Sequence, residues 1–207
     1  MPLRIAWLSS RVLGSDLCST TQIQLANGLV ARGHKVEFYS PGISVSNAFT
    51  HYSIKRSNLR GLQSKSIIKN MSEHLDKIND CEIILIDWSI FRIADKINKP
   101  VILMDRGPPA DSGFLAKLQW IPWRRAWAKS ITGTTVSEAH RQFVVKHSKA
   151  SKESIHVIHA GADLRLFKPR KKEGHIKLAY HGKVDVNRGV MALPMILAGL
   201  QSNGIDA

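Results

Sequence analysis

Three loops in this sequence carry residue types that could do chemistry, and each follows an apolar run that reads as a strand. In the stretch Gly182 to Gly189, Lys183 and Arg188 flank the start of a helical segment. Two cations at a helix start can grip a diphosphate and stabilise the charge that appears as it departs. The bland reading is two solvated surface cations. In the loop Asp105 to Gly113, Asp105 and Arg106 stand directly after a strand and before Gly107-Pro108-Pro109. A carboxylate there can orient or deprotonate a hydroxyl, and an Arg can bind an anionic group beside it; a helix-capping or mutual salt bridge is the competing reading. Asp87 and Trp88, ending the preceding strand, are candidates of the same kind. In the loop Ser9 to Thr21, Gly14 and small polar residues precede a helix N-terminus, where backbone N–H groups favour a phosphate. The spacing is not GxGxxG, and from the residues alone a plain strand-to-helix turn is the favoured reading.

A fourth stretch, GFLAKLQWIPWRRAWAKS at residues 113–130, holds Trp120, Trp123 and Trp127 with Lys117, Arg124, Arg125 and Lys129 and no acid. Indoles and cations together suit a membrane interface, where rings sit at headgroup level and cations meet anionic lipid. Expected membrane contacts are Trp120, Trp123, Arg124, Arg125 and Trp127. The alternative is a core helix with its tryptophans packed on a sheet. Pro122 argues for two short helical pieces. His34 and His159 read as structural, and no nucleophilic triad or metal-ligand spacing is visible. Cys18 and Cys81 are far apart and read as reduced core thiols.

The elements that must position these loops alternate. Strands are expected at Leu3–Leu8, His34–Tyr39, Tyr52–Ile54, Glu82–Ile86, Val101–Met104, Ser130–Val136, Ile155–Ile158 and Ile176–Tyr180. Helices fall between them: one stopped by Gly33, one amphipathic from Leu62 to Ile78, a short one through Ile93 and Ile97, and one over Glu138–Lys146 capped by Ser137. Such βαβ alternation predicts an α/β fold, a doubly wound parallel sheet with ligands at the carboxyl ends of its strands. The stretch Ile155 to Gly189 reads as a junction, with domain 1–160, linker 161–175 and an incomplete second domain at 176–207.

Composition sets the outer bounds. The 207 residues are 43% hydrophobic and 22% charged, ordinary for a folded chain, and 30 Lys+Arg against 16 Asp+Glu give +14. That balance suggests an anionic partner. No run approaches the roughly 18 apolar residues of a membrane span, and the N-terminus reads as a strand, so the expectation is a cytoplasmic protein, peripheral at the inner face of a membrane.

Taken together, the segments RGHKVEFYSPG, TTVSEAHRQFVV, IHVIHAGADLRLFKP and YHGKVDVNRGV resemble motifs of the glycosyltransferase family 4 (group 1) enzymes of the GT-B fold. The resemblance implies two Rossmann-like domains, the N-terminal one binding the acceptor and the C-terminal one, of which only the first βα unit is expected here, binding a nucleotide-sugar. It further implies retention of anomeric configuration, no cofactor beyond the nucleotide-sugar co-substrate, and no obligatory metal. The diphosphate pair falls on Lys183 and Arg188, reversing the usual Arg then Lys. Gly14 falls on the donor-phosphate loop without its usual paired glycines, and Asp105 stands where many members carry an active-site His. Arg106 is the expected acceptor contact, and the acceptor a sugar or lipid-linked hydroxyl. The glutamate motif that contacts the donor sugar would lie beyond Ala207. The expectation is thus an acceptor-binding part, inactive by itself and partnered by the missing C-terminal domain, with an anionic membrane surface admitted and nucleic acid not expected. The competing class is a non-catalytic basic α/β module that docks on anionic membrane or nucleic acid.

Overall fold

The computed structural model describes the chain except residues 15–16, 44–45, 60, 110–113, 160, 162–163, 165–167, 169–179, 181–183, 185–188 and 206–207. Two compact units are present, Met1–Gly161 and Ala162–Ala207.

The first unit is built on seven parallel strands, β1 (Arg4–Leu8), β2 (Lys35–Ser40), β3 (Thr50–Ser53), β4 (Ile83–Asp87), β5 (Val101–Met104), β6 (Thr132–Thr135) and β7 (Ile155–Val157), in the order β3-β2-β1-β4-β5-β6-β7. Helices α1 (Leu17–Ala31), α2 (Gln63–Met71), α3 (Leu75–Asn79), α4 (Phe114–Lys129) and α5 (Glu138–His147) join them, with a 3-10 helix at Trp88–Lys96. The fold is the expected doubly wound α/β sheet. Strand residues alternate between two cores. Ile5, Trp7, Val36, Phe38 and Leu85 pack with α1 residues Ile23 and Ala26. Ala6, Leu8, Tyr39, Ile84, Ile86 and Leu103 pack on the other face with Ile67, Met71, Trp123 and Trp127. Both faces are covered, which is why the strands read as continuous apolar runs and not as alternations. Cys81 is buried, and burial pushes its thiol up to about 11.

Three local expectations change. The amphipathic stretch Leu62–Ile78 is broken at Ser72–His74 by a 3-10 turn; the Ser72 hydroxyl donates back to the Ile68 carbonyl at 2.8 Å, a bond that competes with regular helix. Residues 88–96 wind as a 3-10 helix and not an α-helix. Pro122 sits inside one helix, α4, and does not split it. A proline removes one helical hydrogen bond, but Trp123, Ala126 and Trp127 bury the flanking turns on the sheet, and indoles of that size contribute several kcal/mol each when fully buried (about 3, by comparison with other large apolar side chains). Ser137 caps α5 as expected, its Oγ accepting from the His140 N–H at 3.1 Å.

In the second unit, Gly189 has φ +70 and leads into a short 3-10 helix and α6 (Leu193–Ser202), with Pro194 in the first turn where its missing N–H does no harm. The expected strand Ile176–Tyr180 and most of the linker lie outside the described residues.

Candidate functional site

The strand order reverses direction of winding between β1 and β4, so the loops leaving their carboxyl ends diverge and open a crevice. A cleft of about 620 Å³ lies there, lined by Ser10 and Arg11 after β1, Arg56 after β3, Asp87 at the end of β4, Trp88 at the start of the 3-10 helix, and Arg106 after β5. That volume is within the roughly 300–1,000 Å³ of small-molecule sites.

Asp87 is held tightly. Its Oδ2 accepts from the Ser9 hydroxyl at 2.7 Å and from the Ser10 backbone N–H at 3.0 Å. Ser9 is itself buried, and accepts from the Gln22 amide of α1 at 3.0 Å and from the Arg11 N–H at 3.2 Å. Gln22, Ser9 and Asp87 thus form a relay of hydrogen bonds from helix to cleft. The Ser89 hydroxyl donates to Ser10 Oγ at 2.7 Å and stiffens the rim. Burial raises the Asp87 carboxyl above the usual carboxylate range, opposed by the hydrogen bonds from Ser9 and Ser10 and the charges of Arg11 and Arg106. A carboxylate so placed can orient a hydroxyl and receive its proton.

The loop after β1 is itself fastened. Leu13 N donates to the Pro41 carbonyl at 2.7 Å and Ser9 N to the Tyr39 carbonyl at 2.9 Å. Gly42, at φ +90, lets the two loops touch, because a Cβ there would enter the Leu13 backbone.

Arg106 is among the residues that line the cleft. Asp105 is not, and its expected catalytic role is corrected. It is 1% exposed. Its Oδ2 accepts from the indole N–H groups of Trp123 and Trp127, each at 2.7 Å, and its Oδ1 from the Gly107 N–H at 3.0 Å; His140 Nε2 is 3.5 Å from the same Oδ2. With its oxygens filled from inside, the carboxylate braces the Arg106–Gly107 turn against α4 and is not offered to a ligand.

The expected membrane contacts at Trp123 and Trp127 are corrected by the same bonds: these indoles are 0% and 2% exposed, and reaching lipid would strip both from the core. Trp120 is half-buried, edge-on to Trp123 and beside Phe143. Arg124 and Arg125 do face solvent, Arg124 lying over the Trp120 ring and Arg125 beside Asp95. Gly14 is outside the cleft lining, and a Cβ on it would meet nothing within 4 Å. Lys183 and Arg188 lie outside the described residues.

Sequence reading missed Arg11 and Arg56. Arg56 had no signal, coming from an aperiodic polar stretch, whereas Arg11 follows a strand end at the switch point and could have been found by topology. Among the described residues no group of three His, Cys, Asp or Glu could hold a metal ion, and no helix is long and apolar enough to cross a membrane.

Comparison with known proteins gives the family. The sequence model of Glycosyltransferase Family 4 matches residues 19–166. A search of curated protein sequences finds no match. Among solved structures, the chain is similar to HepE of Anabaena in complex with UDP and glucose, at 10% identity and TM-score 0.62, over 81% of this chain and 47% of that one. It is similar to a sucrose-phosphate synthase from Thermosynechococcus elongatus at 12% identity and TM-score 0.60, over 79% of this chain and 92% of that one. A UDP-N-acetylglucosamine 2-epimerase from Rickettsia bellii also matches, at 13% identity and TM-score 0.54, over 76% and 44%. The chain spans about half the length of HepE, and likeness at such identities shows the fold alone.

Proposed function

The chain belongs to Glycosyltransferase Family 4, and from that premise we propose that the cleft at the β1–β4 switch point is the acceptor side of a transferase moving a sugar from a nucleotide-sugar to a hydroxyl. The observation that carries this is Asp87, buried at the cleft wall with one oxygen tied to Ser9 and Ser10. The acceptor hydroxyl donates to the Asp87 carboxylate. As the oxygen–anomeric carbon bond forms and the bond to the nucleoside diphosphate breaks, the hydroxyl proton passes toward Asp87. Burial favours the protonated acid that results.

The finer features follow the family resemblance: retention of configuration, a sugar or lipid-linked acceptor, Gly14, Lys183 and Arg188 on the donor phosphates, and no obligatory metal. Arg124 and Arg125, with exposed Leu118 and Ile121 on the same face of α4, support docking on anionic lipid at the cytoplasmic face of a membrane. Trp123 and Trp127 have no part in it.

The test is a transfer assay on the polypeptide expressed from its native gene, with a panel of nucleotide-sugars and product detection by mass spectrometry. Wild type should yield a glycosylated acceptor and Asp87→Asn should be slower by about a hundredfold or more. Equal rates would remove Asp87 from the mechanism; no product from any donor would favour the non-catalytic module.

A further inference from the structure

The cleft is unusually rich in guanidinium groups. Arg11, Arg56 and Arg106 reach it from the loops after β1, β3 and β5, three separate segments of chain, and Asp87 is the one acid in its lining among the described residues. Neither Arg11 nor Arg56 has a carboxylate partner among the described ion pairs, although both are exposed and the chain has 16 acids to offer. Ser10, Ser89, Gln119 and Asp87 in the same lining suit the hydroxyls of a sugar. The guanidinium forks of Arg11 and Arg56, joined by Arg106, match beside them a group that only accepts and carries about two negative charges, as a phosphate does at neutral pH.

We propose that the acceptor taken by this cleft carries a phosphate group, held by Arg11, Arg56 and Arg106 while its hydroxyl faces Asp87. The proposal rests on the acceptor-side reading and adds the substrate class. Arg11 and Arg56 act as binding and specificity residues, fixing how far the reacting hydroxyl stands from the phosphate.

The phosphate can come from a soluble sugar phosphate or from a lipid headgroup, and two binding experiments on the 207-residue chain separate the sources. In the first, glucose 1-phosphate and methyl glucoside are titrated calorimetrically. In the second, phosphatidylcholine vesicles with and without phosphatidic acid are sedimented. Wild type is expected to prefer the phosphorylated probe in at least one arm. In that arm Arg11→Gln and Arg56→Gln should each weaken binding by about tenfold, and Arg56→Lys, which keeps the charge but loses the fork, by less. Arg32→Gln, just past the C-terminal end of α1, should change nothing.

Equal binding of phosphorylated and neutral probes in both arms overturns the proposal. So does loss of UDP binding in step with the probe, since the arginines would then belong to the donor. Transfer to neutral acceptors without inhibition by glucose 1-phosphate sinks the phosphate assignment and leaves the transferase reading standing. Variant-sensitive phosphate binding in a protein that transfers no sugar does the reverse.

Discussion

The indole Nε1 of Trp127 lies 2.7 Å from Oδ2 of Asp105, an oxygen that also receives the indole of Trp123. One buried anion therefore fastens helix α4 to the end of strand β5, and through Gly107 it fixes the turn that carries Arg106 into the cleft. Replacing Asp105 by Asn puts an amide N–H₂ or a single acceptor before two indole donors. We expect a loss of about 2–4 kcal/mol in denaturant unfolding, because buried donors without acceptors cost about 1–3 kcal/mol each. An Asp105→Asn protein as stable as wild type would show that the anion is not the fastening.

Asp87 should behave in the opposite sense. Burial holds its carboxyl above the ordinary range. The folded state thus prefers the protonated acid, so stability is fully present below the unfolded carboxylate pKa, about 4, and is lost as pH rises through the raised folded value. Asp87→Asn removes that loss. Its melting temperature should exceed wild type at neutral pH, with the gap closing on acidification toward about pH 4, while transfer activity falls. A gap that widens on acidification would reverse the assigned sign.

Ser9→Ala deletes the 2.7 Å hydroxyl bond that lowers the Asp87 pKa and leaves the buried Gln22 amide without its acceptor. Stability should fall by about 1–2 kcal/mol. The acid limb of the pH–rate profile should move to higher pH, which a merely structural role for Ser9 would not produce.

Gly133 is needed because of a ring. A Cβ there would lie 2.7 Å from two Trp127 ring carbons and 3.0 Å from the Leu103 carbonyl. Gly133→Ala should cost about 1–3 kcal/mol. Phenylalanine at position 127 lacks those two carbons, so a double-mutant cycle of Gly133→Ala and Trp127→Phe should give less than the sum of the single losses.

For membrane docking, Arg124→Glu with Arg125→Glu should abolish sedimentation with anionic vesicles at low salt, without changing the melting temperature, since both side chains are exposed. Trp127→Phe, if folded, should sediment as wild type does.

The sheet was legible because a parallel sheet covered on both faces writes each strand as an apolar run: Ile83–Ile86 and Val101–Met104 needed no tertiary information. The cleft was legible in outline, through strand ends at Asp87 and Asp105. What spacing could not reveal is which acid faces in. Asp105 and Asp87 both follow buried strands, and their roles part only because Trp123 and Trp127, 18 and 22 residues after Asp105, turn one face of α4 onto the sheet. The clue was present in the pair itself. Two tryptophans four apart share a helix face, and buried indole N–H groups demand a nearby acceptor. Arg56 left no comparable trace, since a single cation in a polar loop acquires meaning only from the strand order that brings it beside Arg11.

One consequence concerns Trp88. Its ring lines the cleft and its N–H donates to the Gly107 carbonyl at 3.3 Å, while Trp7, Trp123 and Trp127 are sealed away. A ligand entering the cleft changes the polarity around this indole, and of the other four only Trp120 is also partly open to solvent. The protein thereby carries its own optical gauge of occupancy: wild-type emission should shift on ligand addition, and Trp88→Phe should be silent.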